Sequence, residues 1–200
     1  ASDVYKRQVT GSRPSAVAVD NAGVLLAGSR AGEVPPEVCR SLLTGLSGLG
    51  LSFWVGCAGG VDYSFRKALA ELKLHNRVFV GCAFPSRIRS PLLCGLPGNL
   101  VSPPGLHPKA ALRRRTLYLV KRCCMAVLFP EHPVPGRWGK GSTLVFRSAL
   151  NQLKPVFVVC TEKPKASLHY QVYASELFGV RGWWVIPHPI DESGLCDELY

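Results

Sequence analysis

The stretch Phe53–Leu69, FWVGCAGGVDYSFRKAL, decides how this chain is read. It opens as a short apolar run ending in glycine. It closes with Val61, Phe65 and Leu69, continued by Leu72, at helical spacing. The chain therefore turns from strand to helix at Gly56–Gly60. Glycine suits that turn because it accepts backbone angles that other residues resist, and because a ligand can reach the amides of a helix N-terminus only where side chains are absent. Asp62 falls in the first helical turn, where a carboxylate either caps free amides or faces a ligand hydroxyl. A capped βα turn with no ligand has the same signature.

Outward from this stretch, short apolar runs alternate with amphipathic segments. Val24–Gly28, VLLAG, is short enough for a buried strand and runs into Ser29-Arg30. A helix is predicted from about Pro36 to Leu49, with Val38, Leu42, Leu43 and Leu46 on one face and glycines at its end. Further strands are predicted at Leu51–Val55, Arg77–Cys82, Met125–Phe129 and Pro155–Cys160. Helices are predicted over Lys109–Arg122 and from Gly139 to about Leu153. A helix near His169–Phe178 and an edge strand at Trp183–Ile186 complete the pattern. Residues 83–108, rich in Pro and Gly, read as a long loop, of the kind that serves as a lid or lacks order. The alternation predicts an α/β fold that is Rossmann-like and three-layered, with an open, mostly parallel sheet and helices on both faces.

Two hundred residues suffice for one such domain, placed at residues 24–187, with an extension over 9–23 and a tail over 188–200. The extension holds a short strand at Ala16–Val19 and a turn at Asp20–Gly23. Residues 1–8, ASDVYKRQ, resemble translated adapter sequence from assembled environmental reads and are excluded from fold reasoning, so the natural N-terminus is expected upstream.

Hydrophobic residues at 47% and charged residues at 18% mark a globular chain. No apolar run approaches the roughly 20 residues of a membrane span, so no membrane partner is expected and the cytoplasm is the expected compartment. The eight cysteines form no CxxC pair and mostly lie in apolar runs, and the five histidines are scattered. Neither a metal site nor a disulfide framework is expected. A net charge of +11 favours an anionic partner, a nucleotide or a nucleic acid.

Three strand ends carry small, polar or basic loops: Gly28-Ser29-Arg30, Gly56 to Asp62 with Gly59 and Gly60, and Gly139-Lys140-Gly141-Ser142-Thr143. Strand carboxyl ends lie along one edge of a parallel sheet, so these loops are expected to meet in one crevice. Helix-terminal amides, the hydroxyls of Ser29, Ser142 and Thr143, and the charges of Arg30 and Lys140 suit a phosphate. The third loop is not a Walker P-loop. Gly136 lies five positions before Gly141, but Ser142 stands where the lysine belongs. No GxGxxG fingerprint follows the first strand.

In this order, VLLAGSR (Val24–Arg30), VGCAGGVDYSFRKAL (Val55–Leu69), ALRRRT (Ala111–Thr116) and GKGSTLVFRSAL (Gly139–Leu150) resemble the DprA/Smf group of DNA processing proteins. That group belongs to the SLOG superfamily of Rossmann-like domains, which also holds the LOG phosphoribohydrolases. The resemblance covers about residues 24–160. It implies a domain that binds a nucleotide or single-stranded DNA with its glycine loops facing the ligand. Gly28, Ser29 and Arg30 match the first loop, Gly56, Gly59, Gly60 and Asp62 the second, and Gly141, Ser142 and Thr143 the third. Arg113, Arg114 and Arg115 sit near the place where DNA processing proteins carry an arginine-rich turn, here inside a predicted helix. The phosphoribohydrolase branch carries a Pro-Gly-Gly-x-Gly-Thr-x-x-Glu element whose glutamate takes part in catalysis, and no glutamate follows Gly139–Thr143 in its helix. Glycoside cleavage needs a carboxylate, and Asp62, the only acid in the three loops, is expected to have no partner, so catalysis by that route is not expected.

Three consecutive arginines without a nearby acid repel one another and are better accommodated by an anion. Trp54, Tyr63, Tyr118 and Trp138 are aromatic candidates for base stacking, with Trp138 preferred because it lies between Arg137 and Lys140 in a Pro/Gly-rich loop. Trp183 and Trp184 are expected to pack. The leading expectation is a non-catalytic domain that holds a nucleotide or nucleotide derivative by its phosphate. Single-stranded DNA binding is the alternative, and a nucleoside-monophosphate phosphoribohydrolase the second. The oligomeric state stays open, a homodimer included.

Overall fold

Apolar runs with no polar face need cover on both sides, and the protein supplies it with helices. The structure, a computed structural model, describes residues 23–132 and 137–188. The adapter-like segment, the Ala16–Val19 strand and all of the tail beyond His188 lie outside the described residues. In chain order the elements are β1 (Gly23–Gly28), α1 (Pro36–Gly48), β2 (Ser52–Gly56), α2 (Val61–Glu71), β3 (Val78–Cys82), β4 (Gly98–Leu100), α3 (Pro108–Arg122), β5 (Met125–Phe129), α4 (Lys140–Leu150), β6 (Val156–Val158), β7 (Tyr170–Leu177) and β8 (Val180–Pro187).

The sheet runs in the order β4-β3-β2-β1-β5-β6-β8-β7. Strands β1 to β6 are parallel, and β8 and β7 close the sheet antiparallel. Helices α1 and α2 cover one face, packing Leu42, Leu43, Phe65 and Leu69 against Val24, Leu26, Phe53 and Val55. Helices α3 and α4 cover the other, packing Leu119, Val120, Val145 and Ala149 against Leu25, Ala27, Ala126 and Leu128. This is the expected three-layer α/β arrangement. After β1 the chain builds outward through β2, β3 and β4, then returns to place β5 on the other side of β1. The carboxyl ends of β1 and β5 are therefore the topological switch point, where connecting loops part and leave a crevice. No helix among the described residues is long and apolar enough to cross a membrane.

Two segments depart from the sequence-based expectation. Within residues 83–108, Gly98–Leu100 adds a strand to the sheet by pairing Val80 with Gly98 and Cys82 with Leu100. The segment GNL has no alternation and no β-branched or aromatic side chain to announce a strand, and only its register on β3 makes it one.

The predicted helix over His169–Phe178 is instead strand β7, paired with β8 from Tyr170↔Pro187 to Leu177↔Val180. The joining residues Phe178 and Gly179 both have positive φ, 49° and 81°, as a tight two-residue hairpin turn requires. The turn is anchored on α1, where Ser41 Oγ donates to the Phe178 carbonyl at 2.5 Å. Gly45 leaves room for the Phe178 ring, since a Cβ there would lie 2.2 Å from it. The hairpin also moves β8 off the sheet edge. Trp184 packs on Phe157 with ring centroids 5.1 Å apart, and Trp183 Nε1 donates to the Cys160 carbonyl at 3.1 Å.

The turn supplies a direct check on the hairpin. Gly179→Ala forces a side chain into the left-handed region and is expected to cost about 1–2 kcal/mol, whereas Gly179→Asn is expected to cost less. Thermal unfolding followed by circular dichroism measures both, and equal melting temperatures for wild type and Gly179→Ala would contradict the turn.

Candidate functional site

Successive residues on a helix are about 100° apart, so Arg113, Arg114 and Arg115 cannot share a face. Arg113 and Arg114 are exposed. Arg115 falls on the buried line Ala111–Arg115–Leu119 of α3 and is only 6% exposed. It reaches over the end of β2, where its Nη1 lies 3.1 Å from Asp62 Oδ2. The pair occupies the space above Gly56, where a Cβ would lie 1.5 Å from Arg115 Nη1 and 2.2 Å from Asp62 Oδ2. That glycine is required by a side-chain pair, not by a ligand.

This corrects two expectations from the sequence. Arg115 does not belong with the solvent-facing cations offered to nucleic acid, because it neutralises a carboxylate brought from 53 residues upstream. Asp62 is not an unpartnered acid, and it makes no side-chain cap to α2; its Oδ2 also accepts from the Ala58 amide at 3.3 Å.

The rest of the second glycine loop is also committed to internal contacts. Arg66, fully buried, donates to the carbonyls of Gly56, of Ala58 at 2.6 Å and of Leu92 at 2.9 Å. Burial lowers the Arg66 titration from its ordinary value, and nearby Asp62 opposes that shift. The hydrogen bond with Cys82 pulls the Cys57 thiol below its usual range despite burial, and nearby Arg115 acts in the same direction. The Val61 amide, first in α2, donates to the Ser29 carbonyl at 3.0 Å. Gly60, at φ 61°, packs so closely on the first loop that a Cβ would lie 2.4 Å from the Ser29 carbonyl oxygen. Gly59 is exposed beside it.

The first and third loops are open. Gly28, Ser29 and Arg30 face Gly139, Lys140, Gly141 and Ser142 across a cleft of about 700 Å³, with Lys109, Leu112, Arg113 and Thr116 of α3 along its wall. Arg30, Lys109, Arg113 and Lys140 are exposed cations on this cleft. Ser29 Oγ accepts from the Ala31 and Gly32 amides at 3.0 and 3.1 Å, which folds the loop and leaves the hydroxyl proton for another acceptor. The Ser29 amide donates to the Phe129 carbonyl at 2.8 Å, tying β1 to β5 at the switch point. In the first turn of α4, the amides of Lys140, Gly141 and Ser142 have no intrahelical acceptor, no acid stands in that turn, and Gly141 borders open space. An anion is favoured there.

Glu131 is the acidic residue on this cleft among the described residues, and its place there was not expected from the sequence. A Cβ on Gly139 would lie 2.5 Å from Glu131 Oε2, so the carboxylate sits at the start of α4. Lys109 was also missed, since nothing but the placement of α3 brings its first turn to the cleft. Beneath the floor, a cavity of about 40 Å³ is lined by Gly28, Gly56, Asp62, Arg115 and Thr116, and Arg115 Nε is buried there without a hydrogen-bond partner.

The other expected site residues lie elsewhere. Arg114 and Arg137 are exposed but do not line the cleft. Thr143 turns away, its Oγ1 donating to the Trp138 carbonyl at 3.4 Å. Trp138 packs edge-on against Phe146, 5.1 Å between centroids, on another face of α4. Among the other stacking candidates, Trp54 is buried in the core, and Tyr118 lies between Phe79 and the Arg122 guanidinium.

No protein-family model matches this chain, nor does any curated protein. Solved structures do. DNA processing protein A from Helicobacter pylori, for which a unique single-stranded DNA binding mode is described, matches with a TM-score of 0.53 at 15% identity, over 71% of this chain and 66% of that one. DNA processing protein A (DprA) from Streptococcus pneumoniae matches with a TM-score of 0.50 at 19% identity, over 73% of this chain and 51% of that one. The fold is DprA-like. At these identities the likeness is one of fold, and the chain spans about two thirds of one neighbour and half of the other. In this DprA-like sheet the basic cleft lies at the β1/β5 switch point, with the Arg115–Asp62 pair beneath its floor.

That pair is expected to matter for stability. The Arg115 and Asp62 side chains are 8% and 9% exposed, so removing either partner leaves a charge buried without compensation. Asp62→Asn or Arg115→Met is expected to cost about 3–5 kcal/mol in urea unfolding, and the double variant less than the sum of the two. Additive losses would show that the two side chains are not coupled.

Proposed function

We propose that the protein binds single-stranded DNA by gripping its phosphates in the switch-point cleft. The carrying observation is the convergence of Arg30, Lys109, Arg113 and Lys140, from three separate elements, on one open cleft beside the amides of α4. Phosphate contacts of this kind position a strand without reading its sequence. The chain's charge of +11 draws in a polyanion, and a single-stranded DNA binding mode is described for the H. pylori protein, whose fold this chain resembles. Among the described residues no aromatic side chain lines the cleft, so the grip they offer is electrostatic and hydrogen-bonding.

A nucleotide or nucleotide derivative is the second reading. It is favoured by the open space at Gly141 and the free proton of Ser29, which suit a single phosphate group. The two readings separate by chain length. A strand gains affinity with each added phosphate, and a mononucleotide site does not.

Fluorescence anisotropy with labelled oligodeoxythymidines tests the assignment. Affinity is expected to fall steeply with salt, and Lys140→Ala or Arg113→Ala to reduce the log–log salt slope by about 0.7 each. Glu131→Gln, which removes the carboxylate from the cleft, is expected to tighten binding. Absence of binding at low salt, or salt slopes unchanged in all three variants, would overturn the proposal.

A further inference from the structure

A second and larger concavity of about 850 Å³ lies on a neighbouring face of α4, presented by Thr143, Phe146, Arg147 and Leu150. Three aromatic rings form a row in its wall. Trp138 meets Phe146 with centroids 5.1 Å apart and planes at 83°, and Phe146 meets Tyr170 at 6.0 Å and 83°. Two cations flank the row, Arg147 on α4 and Lys165 on the segment leading into β7, with the His169 imidazole beside them. Among the described residues no acidic side chain lines the groove. It differs from the cleft in character, since the cleft has cations without rings and this groove has both.

The two concavities share one piece of backbone. Gly139 and Lys140 border the cleft, and Trp138, the residue before them, borders the groove. The hydrogen bond from Thr143 Oγ1 to the Trp138 carbonyl holds that junction against α4. The groove and the cleft are therefore bordered by residues only two positions apart, Trp138 and Lys140.

We infer that the groove is a nucleobase site, taking one or more unstacked bases of the strand whose phosphates lie in the cleft. The inference rests on the single-stranded DNA reading above. Planar bases complement aromatic rings whatever their sequence, and Arg147 and Lys165 hold the flanking phosphates. An acidic peptide would use the cations and leave the rings idle. An apolar peptide would bury the cations without partners. A nucleotide chain satisfies both.

The test compares short and long ligands on the full chain. A thymidine dinucleotide fits the cleft alone, and a longer oligodeoxythymidine reaches the groove. The surface double variant Arg147→Ala/Lys165→Ala and the variant Trp138→Leu are expected to weaken the long ligand by between about 5-fold and about 150-fold while leaving the dinucleotide unaffected. Lys140→Ala is expected to weaken both. Photo-crosslinking of wild-type protein to an oligonucleotide carrying 5-iododeoxyuridine, mapped by mass spectrometry, is expected to label Trp138 or Tyr170, and it requires no variant to fold. If wild type binds the long ligand but these variants bind it equally well and crosslinks fall only on cleft residues, the groove is not a base site and the cleft reading stands. If wild type binds no oligonucleotide at low salt, both fall.

Discussion

A guanidinium from one face of the sheet meets a carboxylate from the other above Gly56, and the ends of the strands are organised around that contact. Arg115 comes from α3 and Asp62 from α2, helices that pack on opposite faces. They meet only because β2 ends in a residue without a side chain. Charges this deeply buried are tolerable only as a pair, so the contact fixes where both helices stand relative to the strand ends. Arg66 completes the arrangement by satisfying the carbonyls of the loop that Asp62 enters.

The roles of the three loops follow from that constraint. The second glycine loop turns its polar groups inward on Asp62, Arg66 and the Ser29 carbonyl and becomes a rigid support. The first loop rests on it through Gly60 and is tied to β5 through the Ser29 amide. What remains open is the space between the first loop and α4, where exposed cations collect. A crevice at a switch point is a property of the topology, but its basic character comes from the few side chains that the buried pair does not use.

Strands β1, β2, β3, β5 and β6, with their short apolar runs, and the four helices were legible because burial on both faces leaves a compositional mark that survives in one dimension. Two strands were not. Gly98–Leu100 has no intrinsic preference and is a strand only through its partner. Tyr170–Leu177 has spacing that reads as a helix until β8 is laid beside it and the Phe178-Gly179 turn closes. At the site, Arg30 and Lys140 were legible from their position after strands. Arg115 was misread because three identical neighbours carry no sign of which one points inward, and Glu131 was missed because a carboxylate far along the loop from Gly139 returns to it only in space.

The sequence by itself determined the α/β class, the carboxyl edge of a mostly parallel sheet as the place of the polar loops, and the basic balance of the chain, since these depend on periodicity and composition. The tertiary structure decided which charges are available. Burial is a property of packing between elements distant in sequence, and it alone separates Arg115, neutralised beneath the cleft floor, from Arg113, exposed on the cleft two residues earlier. A line of sequence records both as arginine.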